Sequence, residues 1–413
     1  MKKTISLIMV ISMILAFGGL FASCDNGKTE ESAVSTTYGG DFSTSDIKIG
    51  AIYITSQNDK AGYTFAHHNG IVTAMKNLKI AQNGHLFIQD SVAEDKTAVL
   101  NAIDTLAGKG CKIIFGISFG YIEAFAEASA KTEYKDIIFS HATGYKSNEK
   151  NFNNYFGRIY QARYLSGIAA GLKSLELKNN SLGYVAAYGT EYAETCSGIN
   201  AFTLGAQSVN PAAVVHVKKI NTWGDESLEK QAAEALIATY NCCVISQHCD
   251  SAQPQIVAEN KAVFGCGYNS DMTVQAPKAH LVAPVWNWDV YYGTAIRAAI
   301  EKPAEFVKTI GNYYGGLKEG FVAISPVSSN CSEGTDKIIS AVKDLIISGE
   351  WDVFSGAKLS YEKGADGKYT IKKTNAALVK ADDSTIVEAG GKSVDDGVIK
   401  GSMNYYVKGV TEG

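Results

Sequence analysis

A basic surplus is the first thing this 413-residue chain lacks: Lys and Arg number 38 against 42 Asp and Glu, for a net charge of −4. With no excess cation to neutralise a polyphosphate backbone, nucleic acid is not expected among its partners. Cysteine is sparse too, eight in the whole chain, too few for a disulfide scaffold. Cys242-Cys243, Cys249 and Cys266 cluster in the second half but fit no zinc-knuckle spacing. His67 and His68 are adjacent instead of four apart, so one helix face cannot turn both towards a metal. No G-x-S-x-G elbow and no Walker-type phosphate loop occur, and no carboxylate pair is marked by its spacing. No enzyme class is supported by a motif, and neither metal nor cofactor is expected. Long apolar runs are confined to the extreme N-terminus, which excludes a polytopic membrane protein. What is present, 46% apolar, 19% charged and 10% aromatic residues, is the balance of a folded globular protein of about two domains.

Residues 1–23 begin with two lysines and an apolar run that ends in small residues, the pattern of a secretory signal peptide. Leu20-Phe21-Ala22-Ser23-Cys24 resembles a bacterial lipobox, so Cys24 is the expected lipidation site. Acyl chains there would hold the mature protein on the bacterial cell membrane, facing the periplasm or exterior. The competing reading is an uncleaved anchor helix, because about 20 apolar residues span a bilayer. Residues 24–46 hold almost no large aliphatic side chains and read as a flexible tether.

From Ile47 short apolar runs alternate with helical spacing. Strands are expected at 47–54, 85–90, 111–118 and 135–142, then at 181–188, 213–220, 242–249, 262–269 and 280–286. Helices of 12 to 18 residues between most of them imply a parallel sheet with right-handed crossovers. The beat occurs twice, so the fold class is α/β, with two Rossmann-like lobes of parallel sheet flanked by helices. The expected division is lobe 1 at 47–180 with 286–320, lobe 2 at 181–285 with 321–356, and a C-terminal hairpin and extension at 357–413. Crossings between lobes are expected near 178–182, 284–288 and 318–322. All six prolines follow residue 210, and Pro284 and Pro326 suit such crossings.

Ligands of open α/β sheets bind beyond the carboxyl ends of the strands. Those positions here carry Asp59 to His67, Ser118 to Tyr121 and His141 to Gly144 in the first half. In the second they carry Tyr188, Glu191, Trp223, His248, Asp250, Asn269 and Asp271, with Trp286 and Trp288 after the last strand. The set is rich in aromatics, amides, hydroxyls and carboxylates and poor in cations. It suits a flat, neutral, hydrogen-bonding heterocycle better than a phosphate. For many of these residues the competing role is capping a helix or a turn.

Several ordered segments are similar to those of the basic membrane protein family of ABC-transporter substrate-binding lipoproteins, the purine-nucleoside-receptor-like group. They are Asp59-Lys60-Ala61-Gly62-Tyr63-Thr64-Phe65-Ala66-His67, Phe115 to Tyr121, His141 to Lys146, Ile199 to Pro211, Gly267 to Met272 and Met403 to Val410. The resemblance implies a type I periplasmic-binding-protein fold with hinge crossovers. It implies a small aromatic heterocycle held between closing lobes and passed to an ABC permease and its ATPase. A purine nucleoside or nucleobase is the first candidate, and riboflavin or another flavin the alternative within the same family. By motif, Asp59, Tyr63, Phe65, His67, Ser118, Phe119, Tyr121 and Thr143 would line the cleft from the first lobe. Asn200, Phe202, Trp223, Asp250 and Asp271 would line it from the second; Trp286, delivered by the strand at 280–286, completes the candidate set. The rivals from other classes are a nucleoside-processing hydrolase and a ligand sensor without transport.

Overall fold

Five-residue apolar runs such as Ile49–Tyr53 and Ile113–Ile117, buried along their whole length, satisfy their backbone only as central strands of a sheet covered on both faces. The computed structural model describes residues 38–60, 62–364 and 369–413; residues 1–23, expected to be a signal peptide, and Cys24 lie outside them. The first half runs β1 (Ile49–Tyr53), α1 (Gly62–Asn77), β2 (Leu86–Gln89), α2 (Lys96–Gly108), β3 (Ile113–Ile117), α3 (Ile122–Ala130), β4 (Ile138–Ala142) and β5 (Phe152–Gly157). The second runs α4 (Ile159–Glu176), β6 (Ser181–Ala186), α5 (Ala193–Val209), β7 (Val214–Lys219), α6 (Glu226–Tyr240), β8 (Val244–His248), α7 (Gln253–Asn260), β9 (Phe264–Cys266) and β10 (His280–Val282). Then come β11 (Pro284–Trp286), α8 (Trp288–Glu301), α9 (Phe306–Ile310), β12 (Tyr313–Gly315), β13 (Val322–Ile324) and α10 (Thr335–Ser348). The tail holds β14 (Ala357–Lys363), β15 (Tyr369–Asn375), β16 (Leu378–Val379), β17 (Thr385–Val387), α11 (Asp396–Gly401) and β18 (Val410–Glu412).

Two six-stranded sheets result, β12-β5-β4-β3-β1-β2 and β10-β9-β8-β6-β7-β18, with all neighbours parallel. Ignoring the added strands β12 and β18, both have the doubly wound order 2-1-3-4-5. This is the α/β architecture expected of the sequence. The chain passes between the sheets at β5 to α4, at β11 to α8 and at β12 to β13. Strands β11 and β13 pair antiparallel and form the hinge ribbon.

Three boundaries differ from expectation. Helix α4 packs on α5 and the second sheet, so the first crossing lies at residues 157–159 and not near 178–182. The cause is steric: Gly167 and Gly205 let the two helices touch, a Cβ at either lying 2.1 Å from a carbonyl of the other helix. The expected tether ends sooner. Tyr38 is buried, donates to Asp289 at 2.8 Å and covers Gly293, so residues 38–46 are fastened to the first lobe. The strand predicted at 280–286 divides between β10 of the second lobe and β11 of the hinge. The hairpin β14–β15 forms as expected, its turn lying outside the described residues.

Candidate ligand-binding cleft

In a 2-1-3-4-5 sheet the connections after strands 1 and 3 leave in opposite directions and open a crevice at their carboxyl ends. Here those ends are β1 and β3 in the first lobe and β6 and β8 in the second. Four non-glycine residues with positive φ stand just past strand ends: Ser91 (55°), Thr143 (60°), Asn221 (57°) and Asn269 (67°). For a β-branched residue such as Thr143 this backbone is strained, at a cost on the order of 1–3 kcal/mol, and such strain gathers at ligand-facing turns.

The first-lobe wall is built on α1 and the β2, β3 and β4 ends. Tyr63 is largely buried, and its hydroxyl has no protein hydrogen-bond partner. That hydroxyl lies beside Thr143 and feels Asp250, Tyr121 and Glu94; burial chiefly holds it far above the usual phenol range. It is therefore a neutral donor. Glu94 Oε1 accepts from Ser118 Oγ at 2.5 Å and from the Gly120 amide at 2.8 Å. His141 Nε2 donates to the Ser118 carbonyl at 2.7 Å, and burial pushes this imidazole down to about 4. Asp59 accepts from Thr55 at 2.6 Å, and Thr55 meets Thr64 at 2.7 Å, which pins the loop entering α1. Phe119 is half-exposed beside Tyr145, ring centres 6.3 Å apart.

The second-lobe wall centres on Asp250, which accepts from Asn269 Nδ2 at 3.0 Å while its amide donates to the Trp223 carbonyl. Burial, then the Glu229 charge, raise its carboxyl to about 7, against the pull of the Asn269 bond. Trp223 meets Tyr188 and His248 edge-on or tilted, ring centres 5.4 and 6.0 Å away. His248 is bonded through Nε2 to Glu194 at 2.8 Å and through Nδ1 to Tyr184 at 3.3 Å. Burial first, and the Arg163 charge second, push His248 down to about 4, so it too is neutral. The walls meet: a Cβ on Gly62 would lie 2.8 Å from the Asp250 carbonyl oxygen.

A ladder of rings joins the walls through the hinge. Tyr63 packs edge-on against His67 at 4.2 Å, and His67 stacks on Trp288 at 3.8 Å. Trp288 stacks on Trp286 at 4.6 Å, and Trp286 on Phe156 at 5.2 Å. Trp286 Nε1 donates to the Tyr268 hydroxyl at 3.2 Å, and Tyr268 sits 4.8 Å from His248. On this ladder Tyr63 Oη, His67 Nε2 and Trp288 Nε1 are buried without a protein partner. Burial holds His67 neutral, while its Nδ1 is bonded to Tyr292 at 2.6 Å.

The structure thus brings together Tyr63, His67, Ser118, Thr143, Trp223, Asp250 and Trp286, with Asp59 bracing the loop and Phe119 at its rim. It does not bring the others to that place. Phe65 stands about 200° round α1 from Tyr63. Tyr121 is core, its hydroxyl donating to the Val92 carbonyl. Asn200 spends its amide on the tail, donating to the Tyr405 carbonyl at 2.8 Å and accepting from the Val407 amide at 2.9 Å. Phe202 packs on Tyr184 in the core. Asp271 caps its own turn through Thr273 and faces His280 at 3.3 Å. Glu94, Tyr188, His248, Asn269 and Trp288 belong to the cleft although the motif resemblance did not select them. The strand-end rule by itself places Tyr188, His248, Asn269 and Trp288 there, and Glu94, five residues past the end of β2, is the one it does not include. Among the described residues no group of His, Cys, Asp or Glu could hold a metal ion, the seven cysteines are free, and no helix is long and apolar enough to cross a membrane.

Comparison with known proteins adds the following. A family model described as Bmp, ABC transporter substrate-binding protein PnrA-like, matches residues 47–354. A purine-binding protein of Brucella abortus is 33% identical over 368 residues, 89% of this chain and 93% of its own length. A Haloferax volcanii protein named as an ABC transporter glucose-binding protein is 35% identical over 250 residues; the match spans 60% of this chain and 61% of the relative. A transcriptional activator of the comK gene from Bacillus halodurans superposes with a TM-score of 0.61 at 17% identity, covering 74% of this chain and 99% of that one. That likeness concerns the fold.

Proposed function

The chain belongs to the Bmp family of ABC-transporter substrate-binding proteins, and from that premise we propose that it binds a purine base or nucleoside in its interlobe cleft for delivery to a permease and ATPase. The observation that carries this reading is the ring ladder with its three unpartnered buried polar atoms. Aromatic faces give a flat ring about 1–3 kcal/mol of stacking. Neutral donors and acceptors then select its edge, because a buried group left unpaired costs about as much. Asp250 supplies an acceptor for a ring N–H or a ribose hydroxyl. The extensive match to the Brucella purine-binding protein supports the same ligand class, and the shorter Haloferax match makes glucose the comparison ligand. Lipidation at Cys24 would keep the receptor at the membrane surface. The ligand leaves chemically unchanged.

Thermal-shift and calorimetric titration with adenine, adenosine, guanosine, riboflavin and glucose tests this. A purine at 100 times its Kd should add about 2.7 kcal/mol of stability. A response to riboflavin or glucose alone would replace the ligand, and release of free base from adenosine would favour a hydrolase.

Binding should also depend on pH through Asp250. With its carboxyl at about 7, a ligand donor that needs the carboxylate must displace a proton below that pH. Affinity should weaken about tenfold from pH 8 to pH 6, and Asp250→Asn should flatten the profile. The linkage to folding has the opposite sense. The raised carboxyl holds its proton longer in the folded state, so its contribution to stability is full below the usual carboxylate range and is lost as pH rises to about 7.

A further inference from the structure

The family match ends at residue 354, yet the tail beyond it is built into both lobes. Its far end is anchored in the second lobe. Strand β18 pairs with β7, Asn200 clamps residues 405 and 407, and Ile399, Met403 and Val407 are buried. Helix α11 turns back to the hinge. There Asp396 receives Arg158 through Nη2 at 2.6 Å and through Nε at 3.1 and 3.2 Å.

Arg158 is the residue at the first crossing, between β5 and α4. Its Nη1 donates to the Tyr314 carbonyl at 2.6 Å, and its amide to the Gly315 carbonyl at 2.7 Å, both on β12 of the first-lobe sheet. The Tyr314 ring lies under two cations, the Arg158 guanidinium at 4.9 Å and Lys400 of α11 at 4.7 Å. Glu319, on the third crossing, stands 4.0 Å from the same guanidinium. One arginine thus ties two of the three crossings to a helix that the second lobe holds.

We propose that residues 394–413 act as a strap across the hinge, with the Arg158–Asp396 ion pair as its fastening, and that the strap sets the balance between open and closed lobes. It rests on the hinge-closure reading but not on the identity of the ligand. A planar guanidinium held by a carboxylate from three contacts tolerates little rotation. Lobe opening turns β12 relative to α11, so the closed arrangement keeps the pair and the open one stretches it. The pair is partly exposed, so its effect is modest.

The test uses the full chain without its leader, measured by small-angle scattering and by distance labels placed on the outer helices of the two lobes, with and without adenosine. Asp396→Arg should move the ligand-free distribution towards longer interlobe distances, an open-to-closed ratio raised about fivefold. The milder Asp396→Asn should lie between it and the parent, and the exchange of both charges, Arg158→Asp with Asp396→Arg, should bring the distribution only part of the way back, because an aspartate at 158 cannot donate to the Tyr314 carbonyl. If Asp396→Arg lowers the melting temperature while the distances stay as in the parent, the tail is only a brace and the strap is refuted. If the parent itself shows one fixed distance with and without every ligand tried, the hinge-closure reading fails and the strap falls with it.

Discussion

Replacing Trp288 by alanine should lower the free energy of unfolding by about 3–5 kcal/mol, the range found when a large ring is removed from a packed interior. The side chain is 1% exposed and lies between His67 and Trp286, stacked on both, with Phe321 edge-on at 5.1 Å. Its neighbours cannot fill the space. The His67 ring is bonded to Tyr292, and Trp286 is bonded to Tyr268 and stacked on Phe156. The backbone of α8 also passes against Gly70 of α1, where even a Cβ would collide with Trp288. The loss should be larger than for removing Phe119, a rim residue that is 46% exposed. Denaturant titration measures it, and a loss below about 1 kcal/mol would show that the ladder does not organise the cleft. Because Trp288 sits behind Tyr63 and His67, the same variant should weaken ligand binding even at temperatures where it stays folded.

The alternation of strands and helices depends on features a single sequence carries locally, which is why most of it was legible, whereas the order of strands in each sheet is set by pairing between distant segments. Runs such as IIFGI and VISQH are continuous and apolar because both faces of a parallel strand are covered. Helical spacing over 192–207, 225–240 and 252–260 lies within two residues at each end of α5, α6 and α7. Helix α3 was hidden because its first turn is continuous with the 3₁₀ turn Phe119–Tyr121, so a stretch read as a ligand loop also starts a helix. Strand β12 is three residues, too short for any period, and exists because it pairs with β5 more than 150 positions earlier.

Side-chain roles were less legible for a related reason. Asn200 and Asp250 are both polar residues near strand ends or helices in the sequence. Only the fold shows that the Asn200 amide is consumed by a backbone 205 to 207 positions away in sequence separation, whereas the Asp250 carboxylate holds a single amide, from Asn269, at one of its oxygens. Asp271 looked equivalent to Asp250, but a threonine two residues later captures it. The chemistry of a residue type is readable from sequence; its prior commitments are not, unless they fall within the same turn.

Gly62→Ala should weaken ligand binding by roughly ten- to a hundredfold, because it sits where the lobes touch. Gly62 opens α1 with φ at +84°, a backbone that costs an alanine about 1–2 kcal/mol in any arrangement of the lobes. The second penalty exists only when the cleft is shut. The new Cβ would stand 2.8 Å from the Asp250 carbonyl oxygen, a backbone atom held by the Gln247 side chain through the adjoining Cys249 and Ser251 carbonyls. That loop cannot yield without breaking those bonds, so the lobes must part. A ligand that binds the closed state loses affinity in proportion to the closed fraction, and a hundredfold loss corresponds to about 2.7 kcal/mol. Scattering separates the two penalties: strain alone lowers the melting temperature and leaves the radius of gyration unchanged, whereas the clash enlarges it. An alanine variant with the parent's affinity and the parent's dimensions would mean that the contact between Gly62 and Asp250 is not part of ligand capture.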